Sequence, residues 1–292
     1  MKKIIICSAF ISVSAWAAGP MGSDIFIADL KQNDVLSVDN ITQRLGYDNQ
    51  PLLTPEGVYY TAGFEKNQQW QTDIMFYDFV TKQTKNLTQS DVSEYSPTLM
   101  PSLSALSLIV VEEDGAQKLW SYSLAEPQKR MRIFESIAPV GYHAWGNNNE
   151  LVMFILGEPH TLQFAQLGKE TSKVIAHDIG RTLTYSASIE RYAFSLYENG
   201  TQWLAQFNPS NGQVDKLLQL PLEVDYFAWR EQQLVFAKQS KLYTWSAPQA
   251  APKLWLDLSA YCQTKITRLN FSVDGNQFAF VCDELAVEQS QI

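Results

Sequence analysis

A short apolar strand with polar flanks returns six times along this chain, and each return is accompanied by the same second element. The first element reads Asp24-Ile25-Phe26-Ile27-Ala28-Asp29, and recurs at Asp73–Asp78, Lys118–Tyr122, Thr161–Phe164, Gln202–Ala205 and Lys241–Trp245. The second is a strand, a tight polar turn and another apolar strand, most regular at Leu269-Asn270-Phe271-Ser272-Val273-Asp274-Gly275-Asn276-Gln277-Phe278-Ala279-Phe280. A self-similar unit of about 40–45 residues carrying four strands predicts a β-propeller. A β-sandwich would also supply many short strands, but it requires no fixed period.

The copies align on an apolar residue before the turn: Leu53, Met100, Trp145, Tyr185, Trp229 and Phe271. Gly, Pro, Asn, Asp and Ser in the following turns supply the dihedrals a hairpin needs. The runs after them, such as Leu106–Val111 and Leu151–Leu156, are rich in the β-branched and aromatic residues that strands favour. The chain starts and ends on half a unit. With blade strands lettered a to d from the axis outward, residues 24–42 form a c–d pair and residues 267–282 an a–b pair. The expectation is therefore an all-β, six-bladed propeller whose N-terminal and C-terminal strands share one blade. An unclosed ring would leave edges unpaired and blade faces exposed.

Residues 1–17 read as a secretory signal peptide. Lys2 and Lys3 precede an apolar Ile4–Val13 stretch, and Ala15-Trp16-Ala17 fits small-x-small cleavage. The stretch is too short for a spanning helix, and the mature chain contains no later candidate. This leaves residues 18–292 as one propeller domain, exported to the periplasm of a Gram-negative bacterium. Triplets beginning at Asn40, Asn86, Asn199 and Asn270 match the glycan-acceptor pattern, but are chance matches in a bacterial protein. The mature chain keeps Cys262 and Cys282. An even count in an oxidising compartment predicts one disulfide, the alternative being two buried thiols. The formal charge of −9 becomes more negative when Lys2 and Lys3 leave. That balance argues against nucleic acid and anionic lipid as partners.

The turn element Asn270–Phe280, with further copies at Leu53–Tyr60 and Tyr95–Ser102, resembles the WD40-like repeat of the TolB propeller family. That resemblance implies a propeller fold and a periplasmic or envelope protein or peptide partner. The first repeat starts near Asp24 and leaves no room for the additional N-terminal α/β domain of TolB. Related propellers also cap prolyl oligopeptidases, whose hydrolase domain has no counterpart here.

Catalytic motifs are sparse. There is no G-x-S-x-G elbow, and His143, His160 and His177 show no metal-ligand spacing. The expectation is no cofactor, no metal and a protein monomeric on its own. The mouth of the ring is the remaining candidate, because loops on a rigid scaffold carry function. Residues leading into the inner strands include Tyr47, Tyr95, Tyr142, His143, Arg181, Asp225, Tyr226 and Arg268. Tyrosine combines contact area with a hydroxyl and suits recognition, although large strand residues of this kind more often pack between neighbouring blades. The first reading is a non-catalytic protein- or peptide-binding module. The alternative is a lyase-like enzyme, or a glycan or small-molecule binder, that uses the central funnel with His143, Arg181 and Arg268.

Overall fold

The computed structural model describes residues 21–285 apart from 103, 127, 222–223, 225 and 248–250. The leader predicted at 1–17 and the mouth residue Asp225 lie outside the described residues. Six four-stranded antiparallel sheets are arranged as blades.

The first complete blade contains β3 (Asp48–Leu53), β4 (Gly57–Lys66), β5 (Gln69–Asp78) and β6 (Thr84–Asn86). The second contains β7 (Glu94–Leu99), β8 (Ala105–Val111), β9 (Gln117–Ser123) and β10 (Arg130–Arg132). The third runs through β11 (Val140–Trp145), β12 (Glu150–Ile155), β13 (Thr161–Gln166) and β14 (Ser172–His177). The fourth has β15 (Ile179–Ser186), β16 (Arg191–Glu198), β17 (Thr201–Phe207) and β18 (Val214–Gln219). The fifth has β19 (Phe227–Arg230), β20 (Gln233–Lys238), β21 (Lys241–Trp245) and β22 (Lys253–Asp257).

The sixth blade is composite. Strands β1 (Ser23–Lys31) and β2 (Asp34–Asn40) join β23 (Ile266–Phe271) and β24 (Gln277–Asp283) in the order β2-β1-β24-β23. Strand β1 pairs antiparallel with β24 from Ser23↔Asp283 to Asp29↔Gln277. The backbone groups that each terminus would otherwise present as an edge are satisfied by the other terminus.

Burial follows position in the blade. The second strand is covered on both faces by neighbouring blades, so β12 is buried from Leu151 to Ile155. The outermost strands face solvent, and β14 and β18 expose much of their length. Among the described residues the buried apolar side chains form six clusters, each shared between adjacent blades. One joins Ile25, Ile27, Ala279 and Val281 of the sixth blade to Leu53, Val58 and Tyr60 of the first. Another joins Ile109 and Leu119 of the second to Val140, Trp145 and Met153 of the third. Because the core lies between blades, the axis is free of it. Closure therefore adds a whole interface of apolar burial, and also opens a central channel.

Cys262 and Cys282 form a disulfide with Cα atoms 5.7 Å apart. It ties the segment before β23 to β24, inside the blade that closes the ring.

The registers correct one alignment in the sequence reading. Leu53 pairs with Val58, Trp145 with Leu151 and Phe271 with Phe278 immediately before their turns. In the second blade the equivalent pair is Leu99↔Leu106. Met100 is one residue further on: its N–H donates to the Ala105 carbonyl, as that of Gly146 does to Glu150. Met100 is thus the first residue of the turn rather than the one before it.

Candidate functional site at the propeller mouth

Five of the six inner strands carry a register shift near their start, at Asn49/Leu52, Tyr95/Thr98, Val140/Tyr142, Ile179/Leu183 and Ile266/Arg268. A bulge bends the strand and re-aims side chains. In the first two blades it uses Gln50 (φ 56°) and Ser96 (φ 55°), each followed by proline. A left-handed non-glycine residue carries strain of about 1 kcal/mol or more. Hydrogen bonding offsets that strain, because Gln50 Oε1 accepts from Thr61 Oγ1 within its own blade and from the Ser96 N–H of the next, both at 2.7 Å.

Counting three residues back from the pre-turn position of each blade gives Gln50, Ser96, Tyr142, Thr182, Tyr226 and Arg268. All six line one central cavity of about 310 Å³. They form a single level around the axis. The sequence reading placed Tyr142, Tyr226 and Arg268 among its candidates. Gln50 was not among them, since Tyr47, taken as the entry to the first inner strand, lies three residues before this level.

Arg268 organises this level. Its Nη2 donates to the Tyr142 hydroxyl (3.4 Å) and the Tyr226 hydroxyl (3.2 Å). The guanidinium carbon also stands 4.1 Å from the Tyr226 ring centroid and 5.4 Å from that of Tyr142. Guanidinium over an aromatic face is a favourable cation–π arrangement. Burial disfavours the charge, but the facing Tyr226, Tyr142 and Tyr47 more than offset it and raise the arginine above its ordinary value. Tyr47 is pushed up by burial, with Arg268 opposing and Tyr142, Tyr226 and Tyr95 adding to the rise. The four candidate tyrosines thus share one electrostatic neighbourhood around Arg268.

The remaining candidates separate. Arg181 lines the same cavity and is exposed. Tyr47 packs its ring edge-on against Trp70 at 6.4 Å, outside the cavity wall. Tyr95 packs against the cluster between the second and third blades. His143 contributes to the wall but is 6% exposed. Its Nε2 lies 2.6 Å from Ser107 Oγ, which also accepts from Trp145 Nε1 at 2.8 Å. Burial lowers its pKa to about 3. A neutral imidazole bonded into the seam between two blades acts as a structural hydrogen-bonding group.

Beside the mouth, Asp48 and Glu94 open their strands at equivalent register and are both fully buried. Burial pushes each up to about 7; Arg44 opposes this at Asp48, and nearby hydroxyls oppose it at Glu94. Arg44 Nη2 lies 2.6 Å from Asp48 Oδ1. The sequence gave no sign that these acids would be enclosed. Among the described residues, no group of three His, Cys, Asp or Glu side chains is placed to hold a metal ion.

No protein-family model matches the chain, and no curated protein sequence matches it. Similarity appears at the level of structure. A TolB-assigned structure from Agrobacterium tumefaciens superposes with a TM-score of 0.68 at 12% identity, covering 92% of this chain and all of that one. TolB from Acinetobacter baumannii gives 0.58 at 13% identity, covering 90% of this chain and 64% of the other. An oligogalacturonate lyase from Vibrio parahaemolyticus gives 0.55 at 11% identity, covering 85% and 81%. At these identities the likeness establishes the shared propeller fold.

Proposed function

We propose that this protein is an exported, non-catalytic binding module of the cell envelope that engages a protein or peptide segment at the mouth of its propeller. The observation that carries the reading is the Arg268 guanidinium, partly open to the central cavity and flanked by the Tyr142 and Tyr226 hydroxyls. Rigid aromatic groups around a cation on a preformed rim are the composition of a recognition hot spot. Export rests on the signal-peptide pattern in residues 1–17. Among the described residues no helix is long and apolar enough to cross a membrane. The TolB-like neighbours add the analogy of periplasmic propellers.

A second reading, an acidic-sugar binder or lyase, draws on the likeness to the oligogalacturonate lyase and on the arginines in the funnel. It is the less favoured of the two. Among the described cavity-lining residues there is no carboxylate to serve as a base, and His143 is buried in the wall with its Nε2 bonded to Ser107.

The test is a crosslinking pull-down from envelope extract, with the wild-type chain beside a Tyr95→Ala/Tyr142→Ala/Arg268→Ala variant shown to be folded. A partner captured by the wild type and lost by the variant supports the mouth as the site. A partner captured equally by both places binding elsewhere on the propeller.

A further inference from the structure

Among the described residues, the charged side chains that line the cavity are arginines, on a protein that is otherwise acidic. The formal charge of the chain is −9, yet Arg181 and Arg268 both line the cavity and no Asp or Glu among the described residues does. Neither arginine forms a salt bridge with a described carboxylate. Clefts lined by one sign of charge between low-dielectric walls focus the field and concentrate the opposite charge.

The hydrogen-bond directions point the same way. Arginine can only donate, so the Tyr142 oxygen accepts from Arg268 Nη2. Its own proton remains available to donate. The donors of Arg268 Nε and Nη1 meet no described protein acceptor, while Nη2 is spent on the tyrosines. The channel thus presents donors from Arg268, Arg181 and Tyr142, while its two amide oxygens are engaged by protein donors. The amide oxygen of Gln50 is already used by Thr61 and Ser96, and that of Asn270 by the Leu53 N–H at 2.7 Å.

We infer that the mouth recognises a carboxylate of a peptide segment, supplied by an Asp or Glu side chain or by a free C-terminus, with Arg268 and Arg181 as its cationic partners and the Tyr142 hydroxyl as an additional donor. A guanidinium fork matches the two oxygens of a carboxylate. Peptide is favoured over acidic sugar by the same inventory. A sugar brings many hydroxyl donors that need acceptors, and the amide oxygens of this wall are already engaged. Leu52, Leu99, Phe227 and Leu269 supply apolar lining suited to the side chains flanking the carboxylate. The inference rests on the mouth being the binding site.

The experiment selects binders to the purified exported chain from synthetic random 12-residue peptides with free C-termini. Selected peptides are then resynthesised with Asp→Asn, Glu→Gln or an amidated C-terminus, and trigalacturonate is titrated in parallel. Neutralising the carboxylate is expected to weaken binding at least tenfold, and raising salt should weaken the parent peptide more than its neutral analogue. The Arg181→Gln/Arg268→Gln variant should lose that discrimination. Arg181→Gln alone, at an exposed side chain, should reduce it without any question of misfolding. The inference is overturned if no peptide is selected, if neutral analogues bind within twofold, or if trigalacturonate outcompetes every peptide. A partner still captured at the mouth while neutral analogues bind equally would leave the binding module standing and remove its carboxylate specificity.

Discussion

Replacing Glu94 by glutamine should stabilise this protein in mildly alkaline solution and leave it nearly unchanged in acid. Glu94 is fully buried at the start of β7. Its Oε1 accepts from the Tyr122 hydroxyl at 3.2 Å, whereas Oε2 has no hydrogen-bond partner. Ser90 stands nearby, but its hydroxyl donates to the Val92 carbonyl at 2.7 Å. The hydroxyls of Ser90, Thr88 and Tyr122 together offset only part of the cost of burying the charge. Burial pushes the carboxyl up to about 7, against about 4.3 in an unfolded chain. The folded state thus holds a proton between those values that the unfolded state has released. Stability from this group is fully present below about pH 4 and is lost as the pH rises through 7. At about 1.4 kcal/mol per tenfold, the full loss is roughly 3–4 kcal/mol, and relaxation around the charge should bring it nearer 2–3. Glutamine is neutral at every pH, can still accept from Tyr122, and removes this loss. At about 2 °C per kcal/mol for a chain of this size, the variant should melt roughly 4–6 °C above wild type at pH 8 and within about 1 °C of it at pH 4.5. Thermal unfolding followed by circular dichroism at the two pH values measures this. Equal melting at pH 8, or the same loss at both, would show that Glu94 is not buried as a charge and would refute the reasoning.

Three further outcomes follow from the same structure. Replacing Cys262 and Cys282 by serine opens a loop of 20 residues and should cost about 3 kcal/mol in the chain-entropy description. Denaturant unfolding reads the loss, and mass spectrometry of the non-reduced mature protein, from which the leader with Cys7 has been removed, should show no free thiol. Removing residues 21–42 strips β1 and β2 from the sixth blade and exposes the edge of β24. The truncated chain should aggregate on size-exclusion chromatography, and a stable monomer would contradict closure by the termini. Ser107→Ala removes the acceptor for Trp145 Nε1 and the partner of His143. It should cost about 1–3 kcal/mol, the price of an unsatisfied buried polar group, measured by the same unfolding assay.

The fold was legible because a propeller writes itself into the chain as a period. The split first and last units foretold the shared blade, and the placement of Cys262 and Cys282 foretold its disulfide. Finer features were hidden by the bulges. An extra residue near the start of an inner strand changes which side chains share a level, so Tyr47 was matched to a position that Gln50 occupies. One signal could have corrected this: Gln50-Pro51-Leu52-Leu53 and Ser96-Pro97-Thr98-Leu99 align proline to proline. That match would have placed Leu99, rather than Met100, before the turn. The inward fate of His143 and the enclosure of Asp48 and Glu94 depend on what the neighbouring blade presents, and no local pattern carries that.

The most direct test of the account puts a photo-crosslinking benzoylphenylalanine at Thr184, on the cavity wall, at Thr267, beside the mouth, or at Lys82, exposed on the outer part of the first blade. Each is illuminated in living cells. The account predicts that one discrete protein adduct forms from the Thr184 and Thr267 positions and not from Lys82. An adduct formed from Lys82 alone, or from none of the three, would contradict a protein- or peptide-binding mouth.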